Sequence, residues 1–308
     1  NDAVRHSNAG AFTTTVNERG KYTGKLVLGG KPHSFSGQLR PDLKATNAIL
    51  RKAGTTIVVE LSFDAETTDV VAGRVFDADW EAPLAGHRSL RHARLNPAPL
   101  AGLYTAVLPG QYDPASGPEG HGFATIKVDG NGFASIVGTL GDASKFAQKA
   151  ALSRHGRWPF YTSLYGGGGS ASGWLTITND STNQIHGVID WSKPAGSRTK
   201  LHPEGFTNTS STLGSRYTPP PSATSAILDL PDADVVFSGG NLATTFTNAI
   251  QWNGRNAFRN LSDNKLSLSF SASSGRFNGS VENPATGKSA PFSGVVLQDQ
   301  NFAAGFLS

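Results

Sequence analysis

The sequence predicts an all-β protein of two to three small antiparallel β-barrel or sandwich units built from repeated Gly-aromatic meanders. Three observations lead there. The first is composition: only 16% of the 308 residues are charged and 36 are glycine, with Ser and Thr plentiful, a mixture poor in helix formers. The second is a recurring apolar–x–Gly–x–apolar pattern. The third is that copies of this pattern sit inside a longer strand–turn–strand unit that itself recurs.

The pattern occurs at Tyr22–Leu26, Phe35–Leu39, Val71–Val75, Ile136–Leu140, Ile185–Ile189, Phe277–Val281 and Phe292–Val296. In an extended strand its three marked positions share one face, so each glycine lies between two core residues. A missing side chain there suits a sharply bent sheet or a bulky neighbour packed over the glycine.

The longer units follow in order. Residues 11–39 read as strand, turn, Gly-aromatic strand, turn, strand, and Gly275–Gly279 with Ala290–Gly294 repeats that plan. A looser copy runs from Phe123 to Leu152 around the turn Asp129-Gly130-Asn131-Gly132. Hairpins follow the first and third copies, Thr56 to Phe76 and Trp174 to Trp191, with polar turns at 65–69 and 179–183. Residues 11–77 and 122–191 therefore read as duplicated meander-plus-hairpin units. The Pro-rich stretches Asn96–Pro99 and Thr218–Pro221 mark boundaries, giving units 1–97, 98–218 and 219–308. Asp42 to Lys52 is the one stretch with helical periodicity, and Gly166–Gly169 is a loop between strands.

Cysteine is absent, which excludes disulfides, thiolate metal sites and a thiol nucleophile. Methionine is absent as well and the chain opens Asn1-Asp2-Ala3, so the expectation is an exported chain whose signal sequence has been removed. No run of about 18 apolar residues is present to span a membrane as a helix. The formal charge of +4 is spread out; its densest stretch, His87 to Arg94, has no interleaved aromatics and reads as a solvated strand edge rather than a nucleic-acid surface.

A series of ordered segments carries a resemblance. These are Leu152–Tyr161, Ser163–Gly167, Gly173–Thr176, Gly205–Asn208, Gly214–Pro219, Phe237–Leu242 and Phe292–Gln298. Together they resemble the C-terminal β-rich region of long exported surface proteins of verrucomicrobial-type bacteria, over nearly the whole chain. Members of that family usually carry a further strand before the position of Gly10 and another after Phe306-Leu307. The resemblance implies export and display at the cell surface and supplies no catalytic residues.

Candidate sites are few. Gly287-Lys288-Ser289 lacks the earlier glycine of a phosphate loop, no Gly-x-Ser-x-Gly or His-Glu-x-x-His occurs, and the eight histidines are scattered. Asp77-Ala78-Asp79-Trp80-Glu81 and Asp232-Ala233-Asp234 alternate carboxylates as calcium loops do, but lack the Gly and distal Glu, so they read as turns. The densest feature is aromatic: Trp158, Phe160, Tyr161, Tyr165, Trp174 and Trp191. Such rings either fill a barrel core or, as ligand contacts at Trp158, Tyr161, Tyr165, Trp174 and Trp191, stack on sugars. The expectation is a non-enzymatic structural or adhesive surface module, either a monomer whose termini pack on their own domain or a fibre subunit assembling through its terminal strands, with glycan or small-ligand binding as the alternative. No cofactor or metal is nominated. The expected partners are copies of itself or neighbouring domains of a longer surface protein, and glycans in the alternative, without nucleic acid.

Overall fold

The computed structural model describes residues 4–52, 54–67, 69–90, 96–179, 183–197, 201–222, 225–252 and 257–308. Among them it is all-β, without an α-helix, and every strand pairing is antiparallel.

Seven strands come first. β1 (Gly10–Val16), β2 (Lys21–Leu28) and β3 (Lys31–Gln38) form one sheet; β4 (Lys44–Ile49), β5 (Ile57–Phe63), β6 (Val70–Phe76) and β7 (Glu81–His87) form another. The two share one core, in which Tyr22, Leu26 and Phe35 meet Ile57, Val59, Leu61, Val75 and Leu84. They make an open barrel, with β3 beside β4 and the Phe12 ring of β1 reaching Gly86 of β7.

The helical expectation for Asp42 to Lys52 is corrected: the stretch holds β4, Lys44–Ile49, and no helix. Ala45 pairs with Leu61 and is buried, while Lys44 and Thr46 face solvent. Asn47 donates from Nδ2 to the Tyr22 hydroxyl at 2.8 Å. Pairing with β5 and this cross-barrel bond override a weak local preference.

The next eight strands form a single sheet: β8 (Gly102–Leu108), β9 (Gly122–Val128), β10 (Phe133–Thr139), β11 (Lys145–Ala151), β12 (Arg157–Leu164), β13 (Gly169–Ile177), β14 (Ile185–Lys193) and β15 (Phe206–Tyr217). Its order, β11-β10-β9-β8-β15-β14-β13-β12, brings the first-made strand β8 against the last, β15. The two outer strands then lie side by side, and Gln148 of β11 donates to the Pro159 carbonyl of β12 at 2.8 Å. The sheet is thus nearly closed into a barrel, filled by Tyr104, Ile126, Phe146, Trp158, Phe160 and Leu175 among others. An interior of eight strands is just wide enough for side chains to fill.

The last strands are β16 (Asp232–Phe237), β17 (Phe246–Trp252) and β18 (Phe258–Asn260) in one sheet, then β19 (Leu266–Ser271), β20 (Arg276–Glu282), β21 (Ser289–Leu297) and β22 (Phe302–Leu307) in another. Phe237 stacks on Phe246 with centroids 5.1 Å apart and joins Val281 and Phe292 in their common core. β21 and β22 also press Val295, Leu297 and Phe306 onto Val107 and Phe123, on the outside of the eight-stranded barrel. The C-terminal strand β22 is paired in its own chain, Phe292 opposite Leu307 and Leu297 opposite Phe302.

The glycine pattern has two physical causes. At Gly24, Gly138 and Gly279 an aromatic of the next strand lies across the glycine: an added Cβ would fall 2.2 Å from Phe35, 2.4 Å from Phe146 and 2.5 Å from Phe292. Gly37 beneath Tyr22 and Gly294 beneath Phe277 make the arrangement reciprocal in two of these hairpins. At Gly73 and Gly187 the obstacle is backbone, a Cβ falling 1.9 Å from the Glu60 carbonyl and 2.2 Å from that of Trp174.

Candidate functional site

The aromatic cluster is divided by strand parity. On β12, Trp158 and Phe160 point inward and meet edge to face at 6.4 Å, with Phe146 across from Phe160 at 5.5 Å. Trp158 has no exposed surface. Tyr161, the odd neighbour, points outward, and its hydroxyl accepts a hydrogen bond from the Gly30 N–H of the first barrel at 2.9 Å. Half-buried Trp174 also faces that barrel, with His87 edge-on at 5.1 Å and the Arg157 guanidinium 5.4 Å from its ring. Tyr161 and Trp174 therefore join the two barrels, while Trp158 and Phe160 fill the second.

Tyr165 and Trp191 belong to a third setting, a buried ionic cluster at one end of the eight-stranded barrel. The turn between β10 and β11 carries Asp142, held by the Ser144 N–H on Oδ1 at 2.9 Å. On its other oxygen Asp142 receives the Tyr165 hydroxyl at 2.7 Å and faces Lys193 Nζ at 3.4 Å. Both charged side chains are fully buried. Trp191 Nε1 donates to the Tyr165 hydroxyl at 2.9 Å, and Lys193 also donates to the Leu201 carbonyl. The rings of Tyr165 and Phe206 lie 5.5 and 6.0 Å from the ammonium, and Trp191 meets Phe206 edge-on at 4.6 Å.

Backbone strain gathers here. Ala143, Tyr165 and His202 hold left-handed φ angles of 66°, 54° and 50° although none is glycine. Burial, then the Asp142 charge, hold the Tyr165 hydroxyl protonated far above the ordinary tyrosine range. Burial, then Lys193, lower the pKa of His202 and favour its neutral form. The Asp142 carboxylate, the Tyr165 hydroxyl and the Lys193 ammonium together tie three loops to this end of the barrel. The adjoining cavity, walled by Leu140, Trp191 and Asn208, measures about 20 Å³, room for about one water.

The open concavity lies elsewhere, on the outer face of β4–β7. It encloses about 770 Å³ and is lined by Arg40, Lys44, Thr46, Glu60, Arg74 and Glu81 among others. Arg74 is its hub, with Nε 2.6 Å from Glu60, Nη1 3.1 Å from Glu81 and the guanidinium 4.7 Å from the Phe76 ring. The Arg74 hydrogen bond lowers the Glu60 pKa. None of the aromatic candidates lines this groove. Sequence reasoning missed it because Glu60, Arg74 and Glu81 are distant in sequence and meet only through the β5–β6 and β6–β7 registers.

The acidic stretches behave as turn and strand. Asp77 accepts from Arg51 and Thr55, each at 2.7 Å, and from the Asp79 N–H at 2.9 Å; Asp232 and Asp234 lie on β16. In the basic stretch His87 ends β7 and Ser89 bridges to Ser153, while residues 91–95 lie outside the described residues. Compared with known proteins, the chain matches no family model, no curated protein and no solved structure.

Proposed function

We propose that this chain is a non-enzymatic structural or adhesive module displayed outside the cell. The observation that carries the reading is the filled barrel: Trp158, Phe160, Tyr104 and Phe146 occupy the space a ligand would need, and the Asp142–Lys193 pair seals one end. Rigid, cysteine-free β units docked through Tyr161 and Trp174 suit a part that bears load or spaces other domains. The test is to locate the native protein and assay it: surface labelling on intact source cells, with turnover on a panel of glycans, esters and peptides. The expected result is surface exposure without turnover; saturable turnover that survives repurification overturns the reading.

A second reading, binding of a glycan or small polar ligand, is favoured by the groove on β4–β7. Its volume is that of an ordinary ligand site and its walls offer paired donors and acceptors. Binding on a glycan array that disappears in Arg74→Ala would support it.

A further inference from the structure

The two barrels can be aligned residue by residue through their ladders. Gly24 opposite Phe35 matches Gly138 opposite Phe146, and Leu61 opposite Gly73 matches Leu175 opposite Gly187. Strands β1–β7 thereby match β9–β15, which leaves β8 without a counterpart among the described residues. In the second barrel β8 lies between β9 and β15 and pairs antiparallel with both. In the first, β1 and β7 are sheet edges, with no strand paired between them among the described residues.

Parity explains why the first barrel cannot close itself. In an up-and-down sequence of seven strands the first and last run the same way. Antiparallel closure of the gap requires an eighth strand opposed to both. The side chains record the vacancy. Ile126, which β8 covers with Tyr104, is 1% exposed, while its match Val16 is 37% exposed. Gly122, opposite Leu108, is matched by Phe12, whose ring instead crosses to Gly86, the match of the glycine that Ala106 pairs with.

We infer that the gap between β1 and β7 accepts one extended strand from another polypeptide chain, seated antiparallel to both edges. Its inward positions carry the aromatic–small–aliphatic order of Tyr104, Ala106 and Leu108. No described strand of this chain is free to fill the gap, since each is already paired in its own sheet. The segment preceding β1 is also committed elsewhere, with His6 Nε2 2.8 Å from the Gly167 carbonyl of the second barrel. Pro83 on β7, which cannot donate from its nitrogen, does not obstruct: its match is Ser211, outside the stretch Leu213–Tyr217 that pairs with β8. This inference deepens the structural reading by naming where the module joins a partner. Turnover on substrates would remove that reading and leave the gap; absence of strand binding would remove the gap and leave that reading.

The test uses the full chain and a synthetic peptide with the sequence of residues 101–109, labelled for fluorescence anisotropy, against a scrambled control. The expected result is one-to-one binding that slows amide exchange at Phe12–Val16 of β1 and Ala85–His87 of β7. Val16→Asp, a change at an exposed position, is expected to weaken binding by about tenfold or more while leaving the fold intact. No binding, equal binding of the scrambled peptide, protection at other edges, or undiminished binding to Val16→Asp would each overturn the inference.

Discussion

In the first barrel Gly24 lies beneath Phe35; in the second Gly138 lies beneath Phe146, and in both a leucine faces the glycine of the strand that follows the second hairpin turn. The local code is shared, and the outcomes differ. Eight strands close around a packed interior, whereas seven leave two edges of like direction. The difference teaches that the Gly-aromatic pairs set curvature and register, while closure is decided by strand number. The second barrel also adds a buried ion pair to its end turns, for which the first has no counterpart among the described residues.

The largest expected effect breaks that pair. Lys193→Met removes the partner of a fully buried carboxylate and should cost about 3–5 kcal/mol, measured as the urea midpoint of the second barrel's tryptophan signal. Combining it with Asp142→Leu should recover most of the loss, because no lone buried charge remains. A single variant as stable as the parent would show that water reaches the site. The cluster also sets an alkaline limit. The raised pKa of Tyr165, and those of Tyr104 and Tyr161 raised by burial, mean that the unfolded chain loses these protons first. Stability from them is fully present below pH about 10 and is lost as pH rises beyond it. The acid limb is shared by both barrels. Burial lowers the pKa of His33 and His87 in the first and of His121 and His202 in the second. That stability is present above pH about 6.5 and is lost as pH falls through the lower folded values. A melting profile flat from pH 9 to beyond the tyrosine range would refute the alkaline part.

Matched positions give the next contrast. Ile126→Ala, in the closed barrel, should cost about 2–5 kcal/mol. Val16→Ala, at the matched position in the open one, should fall within about 0.5 kcal/mol. Equal losses in denaturant titrations would mean that the first barrel is closed in solution.

The class of fold was legible in the sequence because glycine spacing reports sheet curvature directly, and Phe35, Phe146 and Phe292 are near neighbours of the glycines they cover. Much less of the sites was legible. Trp158 and Tyr161 are three residues apart yet serve a core and an interface, a division visible only once β12 is extended and its inward parity known. Asp142 and Lys193, or Glu60, Arg74 and Glu81, carry no motif; long-range registers and turns assemble them. β4 was misread for a similar reason, since its partner Leu61 and the Asn47–Tyr22 bond are not local.

Overpacking the shared code sharpens the comparison at a smaller scale. Gly138→Ala meets both the Phe146 ring and, at 2.6 Å, the Phe123 carbonyl, whereas the three nearest atoms to a Cβ at Gly24 all belong to the movable Phe35 ring. Each change should cost about 1–3 kcal/mol, Gly138→Ala the more, because a ring can turn aside and a ladder carbonyl cannot. The reverse order in thermal unfolding would contradict this account of the glycines.

The smallest effect concerns the joint between the barrels. Tyr161→Phe keeps the ring, 8% exposed, and deletes only the oxygen that accepts from Gly30 N–H. Gly30 sits on the β2–β3 turn and is half-exposed, so water can take the vacated place. The net loss should therefore stay below about 1 kcal/mol, the ordinary worth of one hydrogen bond replaced by solvent. Its signature is local: the Gly30 amide should exchange faster, while Leu26 in the first core and Leu175 in the second keep their protection, since neither core touches that oxygen. His87 against Trp174 provides a second, independent contact, so the barrels should stay docked. Unchanged exchange at Gly30 would show that the hydroxyl carries no part of the joint. A loss of protection through both cores would show instead that the two barrels fold as one cooperative body, with Tyr161 at its centre.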